Sequence, residues 1–417
     1  MKLKLRIVLI FFAFQATLLN GQTVKIDWPE IKDSSNLVDT HSKSIKYQEK
    51  KIYDFPSVGV KISNKFAGAR LNAVQLENDS TFNCLILPEN FPINMSPWYS
   101  FKVWAEDSRT IYFDLHYKHG QHRYFPKLSK DGILWTQIES SDLFTKPRDS
   151  TALFRVQIGP DTTWISGQEL MTTQTVSQWT NKLAEKHFVN KHTIGYSTLK
   201  KPITALTVSE SKDKNMLIIL SRQHPPELTG FKEMMAFVET LCGSSGKAKK
   251  FRKKFEIIIV PVMNPDGVDN GHWRHNAGGI DMNRDWRHFN QPETASFRKF
   301  VLKEIEKQNA IPRYGIDFHS TQTDIFYLPS EETLPSGKGI SMTWLNNINA
   351  KFPQNPFNPE PSDVEGQVSK NWFLHELKIE AITYEVGDTT DREVIKKRGK
   401  ESALQLIKIL LKEYKNK

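Results

Sequence analysis

Cysteine is nearly absent: Cys84 and Cys242 are the only two in 417 residues. They fall in regions that read as different domains, so a structural disulfide is not favoured and the fold does not depend on cross-links. Long apolar runs are missing too. No segment beyond the first twenty or so residues could cross a bilayer as a helix. No internal repeat and no nucleic-acid-binding module is visible, and the Lys and Arg residues are scattered, so no nucleic-acid partner is expected. The formal charge of +10 favours acidic partners or anionic surfaces but says nothing about fold.

The one apolar stretch stands at the start. Lys2, Lys4 and Arg6 precede Ile7 to Phe14, and Ala16 to Gly21 leads to Gln22. A basic start, a short apolar run and a small residue at the edge are the layout of a secretory signal peptide, residues 1–21. No cysteine follows the apolar run to carry a lipid. The expected location is secreted or periplasmic, with no stable membrane anchor.

Two textures follow. In residues 22–168, runs at 98–104, 110–117 and 152–158 are rich in aromatic and β-branched side chains. Turn sequences such as Lys130-Asp131-Gly132 and Gly159-Pro160-Asp161 separate them. Short strands at regular spacing predict an all-β sandwich domain. Asn78-Asp79-Ser80 and Asn94-Met95-Ser96 match the glycosylation sequon, a pattern common by chance. In residues 175–417, strand and helix patterns alternate. Strands are expected at 216–220, 255–263, 314–318 and 380–384, and helices at 227–242, 292–308 and 392–414. The lysine-rich run 247–254 reads as a solvated connection. This predicts an α/β domain whose mixed, mostly parallel sheet carries helices on both faces.

Each buried strand leads into a polar group. Leu217 to Leu220 leads to His224 and Glu227, and Ile257 to Met263 to Asn264-Pro265-Asp266-Gly267. Ile316-Asp317-Phe318 leads to His319, and Ala381 to Tyr384 to Glu385. Ligands of open α/β sheets bind at the carboxyl ends of strands, so these four segments should meet in one crevice.

Within it, a His and a carboxylate three apart can face one metal. Zinc takes imidazole nitrogen and carboxylate oxygen, and catalytic sites use three protein ligands. His319 would be the third. A His-x-x-Glu pair arises about once by chance in a chain with this many histidines; the position at a strand end is what gives this one weight. Arg274 and the Asn283-Arg284 pair offer donors that match a carboxylate, although the commoner fate of an arginine is a surface ion pair. Glu385 is placed to act as a base; the plain alternative is a structural Glu at the sheet rim. A metal beside a carboxylate grip points to an enzyme that removes residues from the carboxyl end of a peptide.

These residues resemble the zinc carboxypeptidase family that includes the pancreatic carboxypeptidases, over roughly residue 175 to the end. Asn264-Pro265-Asp266-Gly267-Val268, followed by Gly279-Ile280-Asp281-Met282-Asn283-Arg284-Asp285-Trp286, is most similar to the cytosolic-carboxypeptidase branch and its bacterial relatives. So is a β-sandwich placed ahead of the catalytic domain. The resemblance implies His224, Glu227 and His319 as ligands of one zinc ion. It makes Arg274 the residue that polarises the scissile carbonyl, Asn283 and Arg284 the grip on the terminal carboxylate, and Glu385 the general base. The implied activity is a hydrolase acting on peptide or protein C-termini.

Two departures stand out. The family's mobile tyrosine lies roughly twenty residues before the catalytic Glu, and that count lands near Asp363 with no tyrosine nearby. An arginine that often lies between the first two zinc ligands gives way to Pro225 and Pro226, so a contact with extended substrate is expected to be absent. The same count places Lys370 at the floor of the pocket for the terminal side chain. An ammonium there would favour a terminal Glu or Asp, since burying it unpaired is costly; the alternative is a lysine turned to solvent. Two other functions fit less well. One is an amidohydrolase of this fold acting on N-acyl amino acids or peptidoglycan stem peptides, and the other a non-catalytic binding protein. The sequence carries no information on oligomeric state.

Overall fold

The computed structural model describes residues 37–144, 149–210, 215–329, 333–334, 339–362 and 364–414. The expected signal peptide, 1–21, lies outside them.

The first part is a sandwich of strands β1 (Ile52–Phe55), β2 (Val60–Ser63), β3 (Ala73–Asn78), β4 (Thr81–Ile86), β5 (Ser100–Ala105), β6 (Arg109–Tyr117), β7 (Lys127–Ser129), β8 (Thr136–Gln137), β9 (Thr151–Ile158) and β10 (Thr163–Ser166). One sheet runs β1-β2-β5-β10-β7-β8 and the other β3-β4-β6-β9. Alternation decides which faces meet. In β6, Ile111, Phe113 and Leu115 point inward, where they meet Phe82, Phe101 and Phe154. Each such aromatic side chain contributes about 1.5–3 kcal/mol on burial.

The second part holds α1 (Thr173–Ala184), β11 (Val189–Tyr196), β12 (Pro202–Val208), β13 (Asn215–Ser221), α2 (Leu228–Leu241), α3 (Gly246–Arg252), β14 (Phe255–Val260), α4 (Pro265–Asn270) and α5 (Pro292–Gln308). It continues with β15 (Ile311–Thr321), β16 (Ile325–Leu328), α6 (Ile340–Asn349), β17 (Asn358–Pro361), α7 (Ser369–His375), β18 (Ala381–Gly387) and α8 (Arg392–Glu413). The sheet order is β11-β12-β14-β13-β15-β18-β16-β17. Its centre, β14 to β18, is parallel, with antiparallel pairings at β11-β12, β12-β14 and β16-β18. Both faces are covered, which is why β13 is apolar from Met216 to Leu220. Leu217 and Ile219 pack under α2, α6 and α8, while Met216, Ile218 and Leu220 pack toward α5 and α7.

Two expectations need correction. The run 247–254 is not a bare connection: residues 246–252 form α3, capped by Ser245 Oγ, which accepts from the Ala248 amide at 3.2 Å. Ala248 and Phe251, three apart, share the buried face, while Lys247, Lys249 and Lys250 stay exposed. The last strand also extends past Tyr384 to Gly387, so Glu385 lies inside β18, directly opposite His319 in the parallel register.

Candidate active site

The candidate metal ligands come from the ends of neighbouring strands. His224 follows β13 and Glu227 stands at the N-cap of α2. Asn264 shapes this loop: its amide donates to Gln223 O at 3.1 Å, and its Oδ1 caps α4 through Gly267 N at 2.8 Å. The Asn264 to Gly267 segment therefore supports the ligand loop from behind instead of facing the crevice. Gly230, in the first turn of α2, lies against β15 so tightly that a Cβ would sit 1.9 Å from His319 O. Only glycine lets that helix dock on the strand that carries the third ligand.

The nitrogens are sorted by partner. Nδ1 of His224 and Nδ1 of His319 each lie 2.7 Å from a Glu227 oxygen. Their Nε2 atoms face outward, to Asp281 Oδ1 at 2.9 Å and to Asp317 Oδ2 at 2.8 Å. Imidazoles that ligate a metal usually give their second nitrogen to a carboxylate, which fixes the ring. Two rings so held, with an anionic Glu227 between their inner nitrogens and all ligand atoms within 4.8 Å, fit a zinc ion. The outer carboxylates are tied in turn. Gln223 Nε2 donates to Asp317 at 2.7 Å, and Arg274 Nε donates to Asp281 Oδ2 at 2.7 Å.

Charge is balanced within this cluster. Burial pushes the Glu227 carboxyl up, but the charges of His224 and His319 outweigh it and hold Glu227 well below the usual range. Burial pulls the His319 imidazole down, and Asp317 and Glu227 more than reverse that, raising it well above its ordinary value. Glu385 moves the other way. Burial drives it up to about 8, against the opposing charge of His319. Its Oε2 is out of contact with solvent and has no hydrogen-bond partner among the described residues. An unsatisfied carboxyl oxygen beside a metal triad is a group kept ready to exchange a proton.

All eight predicted site residues line one cleft of about 420 Å³. In it, Asn283 Oδ1 accepts from Ser369 N at 2.9 Å, which leaves its amide NH2 as the donor side. Arg284 is held by a bond from Nη1 to Asn283 O at 2.8 Å. Lys370 is buried at the start of α7, its Nζ 3.1 Å from Asn371 Oδ1; it is not turned to solvent.

Other residues of the cleft escaped the sequence reading. Tyr327 reaches it from β16, beside Thr383 of β18, so a phenol is present although the count from Glu385 found none. Asp363, where that count landed, lies outside the described residues. Asp281 and Asp317 left a trace: Asp317 is two residues from His319, hence on the same strand face. The sandwich residues left none. Glu89, fully buried, accepts the backbone amides of Trp273, Arg274 and His275 at 2.7, 2.9 and 2.6 Å. Trp273 itself packs into the sandwich core. Asn94 and Arg123 line the cleft directly.

The zinc carboxypeptidase family profile matches residues 176–405, more than half of the chain. The chain belongs to the zinc carboxypeptidase family. Zinc is that family's metal, and the His-Glu-His group sits where it can be held. Cytosolic carboxypeptidase 3 of Bos taurus is 32% identical over 126 residues, covering 30% of this chain and 13% of that protein. Cytosolic carboxypeptidase 1 of Xenopus laevis is 32% identical over 148 residues, covering 34% and 11%. The chain thus matches only a small fraction of these relatives' length. In fold, it is similar to a metallo-carboxypeptidase from Burkholderia cenocepacia, with a TM-score of 0.69 at 16% identity over 86% of this chain and 100% of that one. That coverage exceeds the span matched by the family profile, so the likeness in fold extends into the sandwich.

Proposed function

We propose that the chain is a zinc-dependent metallocarboxypeptidase that hydrolyses the C-terminal peptide bond of peptides or proteins, with preference for acidic terminal residues. The observation that carries this reading is one cleft holding a candidate metal triad, a carboxyl whose Oε2 has no hydrogen-bond partner among the described residues, and a grip for a carboxylate. Zinc in such a site acidifies water and polarises a carbonyl. The chain's own residues do the rest. Asn283 and Arg284 hold the terminal carboxylate and so fix which bond faces the centre. Glu385 takes a proton from the attacking water and delivers it to the leaving amine. Arg274, oriented by Asp281, donates to the carbonyl oxygen as negative charge develops there. Lys370, buried in the same cleft, supports the acidic preference: an ammonium in that place gains most from a terminal Glu or Asp.

The test is release of the last residue from peptides ending in Glu, Lys and Phe, run beside N-acyl amino acids and muropeptides. Fastest release from Glu-ending peptides is expected. A Lys preference overturns the acidic reading, and turnover confined to acyl-amino acids or muropeptides overturns the peptidase reading. We also propose export from the cytosol, resting on the layout of residues 1–21 alone. The relatives named cytosolic make this worth checking by N-terminal sequencing of the mature protein; an intact Met1 in a cytosolic fraction would refute it.

A further inference from the structure

The cleft has a direction. Along β15, Asp317 accepts the Ser369 hydroxyl, and the Ser369 amide bonds Asn283; this is the end where the terminal carboxylate is gripped. His319, two residues on, is a metal ligand. Ser320, next in the chain, gives its carbonyl to Arg123 Nη2 at 3.2 Å. On β18, Glu385 precedes Asp388, which is the other partner of Arg123. Arg123 therefore stands on the far side of the metal triad from the carboxylate grip, where the amino side of a bound peptide must leave.

Its donors are almost all committed. Nε lies 2.7 Å from Asp388 Oδ2 and Nη2 3.2 Å from Asp388 Oδ1. Nη2 also takes Ser320 O, and Nη1 donates to Ser96 Oγ. A guanidinium has five N–H donors, so among the described residues one proton on Nη1 is left without an acceptor. The side chain is 10% exposed, and that opening faces the cleft. Asp388 balances the charge, so this donor suits a neutral acceptor better than an acidic side chain.

Resting on the carboxypeptidase reading above, we propose that Arg123 of the sandwich donates its remaining Nη1 proton to the backbone carbonyl of the substrate residue just upstream of the scissile pair. The sandwich then supplies a subsite for extended peptides, which a dipeptide cannot reach.

The experiment compares Arg123→Gln and Arg123→Lys with wild type in the full chain. It uses dipeptides, tripeptides and tetrapeptides that share one scissile pair. Both variants should lose about tenfold more in kcat/KM on tri- and tetrapeptides than on dipeptides, the scale of one hydrogen bond. Lysine should behave like glutamine, because one ammonium cannot serve Asp388, Ser320 and a ligand together. Equal losses at every length would mean that Arg123 only clasps the two strand ends, and no loss would mean that it touches nothing; either overturns the proposal. Should Arg123→Gln not fold, Arg123→Lys decides alone. A wild type that releases no C-terminal residue removes the carboxypeptidase reading and this inference with it, whereas active wild type with length-independent variants removes only this inference.

Discussion

The sandwich and the α/β domain solve burial differently. Sandwich strands alternate, with one face in the core and the other toward solvent, so apolar and polar residues take turns along β4 and β6. The central strands of the α/β sheet are covered on both faces, and β13 and β14 are buried at every position. Polar groups in the first domain can therefore stand anywhere on the outer face, while those in the second collect where the strands stop. The chemistry concentrates at those ends. Yet the boundary between bracing and catalysis is not the domain boundary: Glu89 orders the backbone on either side of Arg274, Trp273 is packed inside the sandwich core, and Arg123 clasps the strand ends bearing His319 and Glu385.

The strongest expected contrast lies at Glu385. Glu385→Gln should leave zinc content unchanged and lower kcat by about 10³-fold or more, within the usual range for a general acid-base group. Full activity with zinc retained would remove Glu385 from its role. Next is the sandwich's own contribution. Glu89→Gln turns one acceptor oxygen into a donor among three backbone amides, so the Arg274 loop should shift. A displacement of about 1 Å can cost about a hundredfold. A kcat unchanged in Glu89→Gln, measured on folded protein, would reduce the sandwich to a neighbour.

A smaller effect follows from His319. Its folded value is raised, so in metal-free protein its ion pairs contribute stability below the ordinary imidazole value, and this is lost as pH rises through the raised value. Zinc requires the neutral ring. Zinc affinity should therefore weaken by about tenfold per pH unit as pH falls below that raised value, as titrations at several pH values would reveal; a pH-independent affinity contradicts the assignment. Smallest is Lys370→Gln, which should cut the preference for Glu-ending over Phe-ending peptides by about tenfold, the scale of one charge-assisted bond. An unchanged ratio would place the preference elsewhere.

Much of the site was legible because its logic is local. His224 and Glu227 are three residues apart at a strand end, His319 follows a buried strand, and Glu385 alternates with the core residue Tyr384. Asn283 and Arg284 are adjacent. What the reading missed involves partners far apart in the chain. The family's tyrosine was sought near Asp363, which lies outside the described residues, whereas Tyr327 enters the cleft from β16. Arg123 enters the cleft from about a hundred residues before His224, bonded to Ser320 O of β15, and no local pattern announces it. The lysine-rich run was misjudged because its charge hid Ala248 and Phe251.

The sequence alone thus determined the fold class and the order of the candidate ligands, since these follow from periodicity and from residues close in the chain. Only the tertiary structure decided that Glu385 lies opposite His319, that Lys370 is buried in the cleft, and that three sandwich residues shape the active site. Those facts depend on register and on contacts across the chain, which are set when the two cores pack together and leave no period in the sequence.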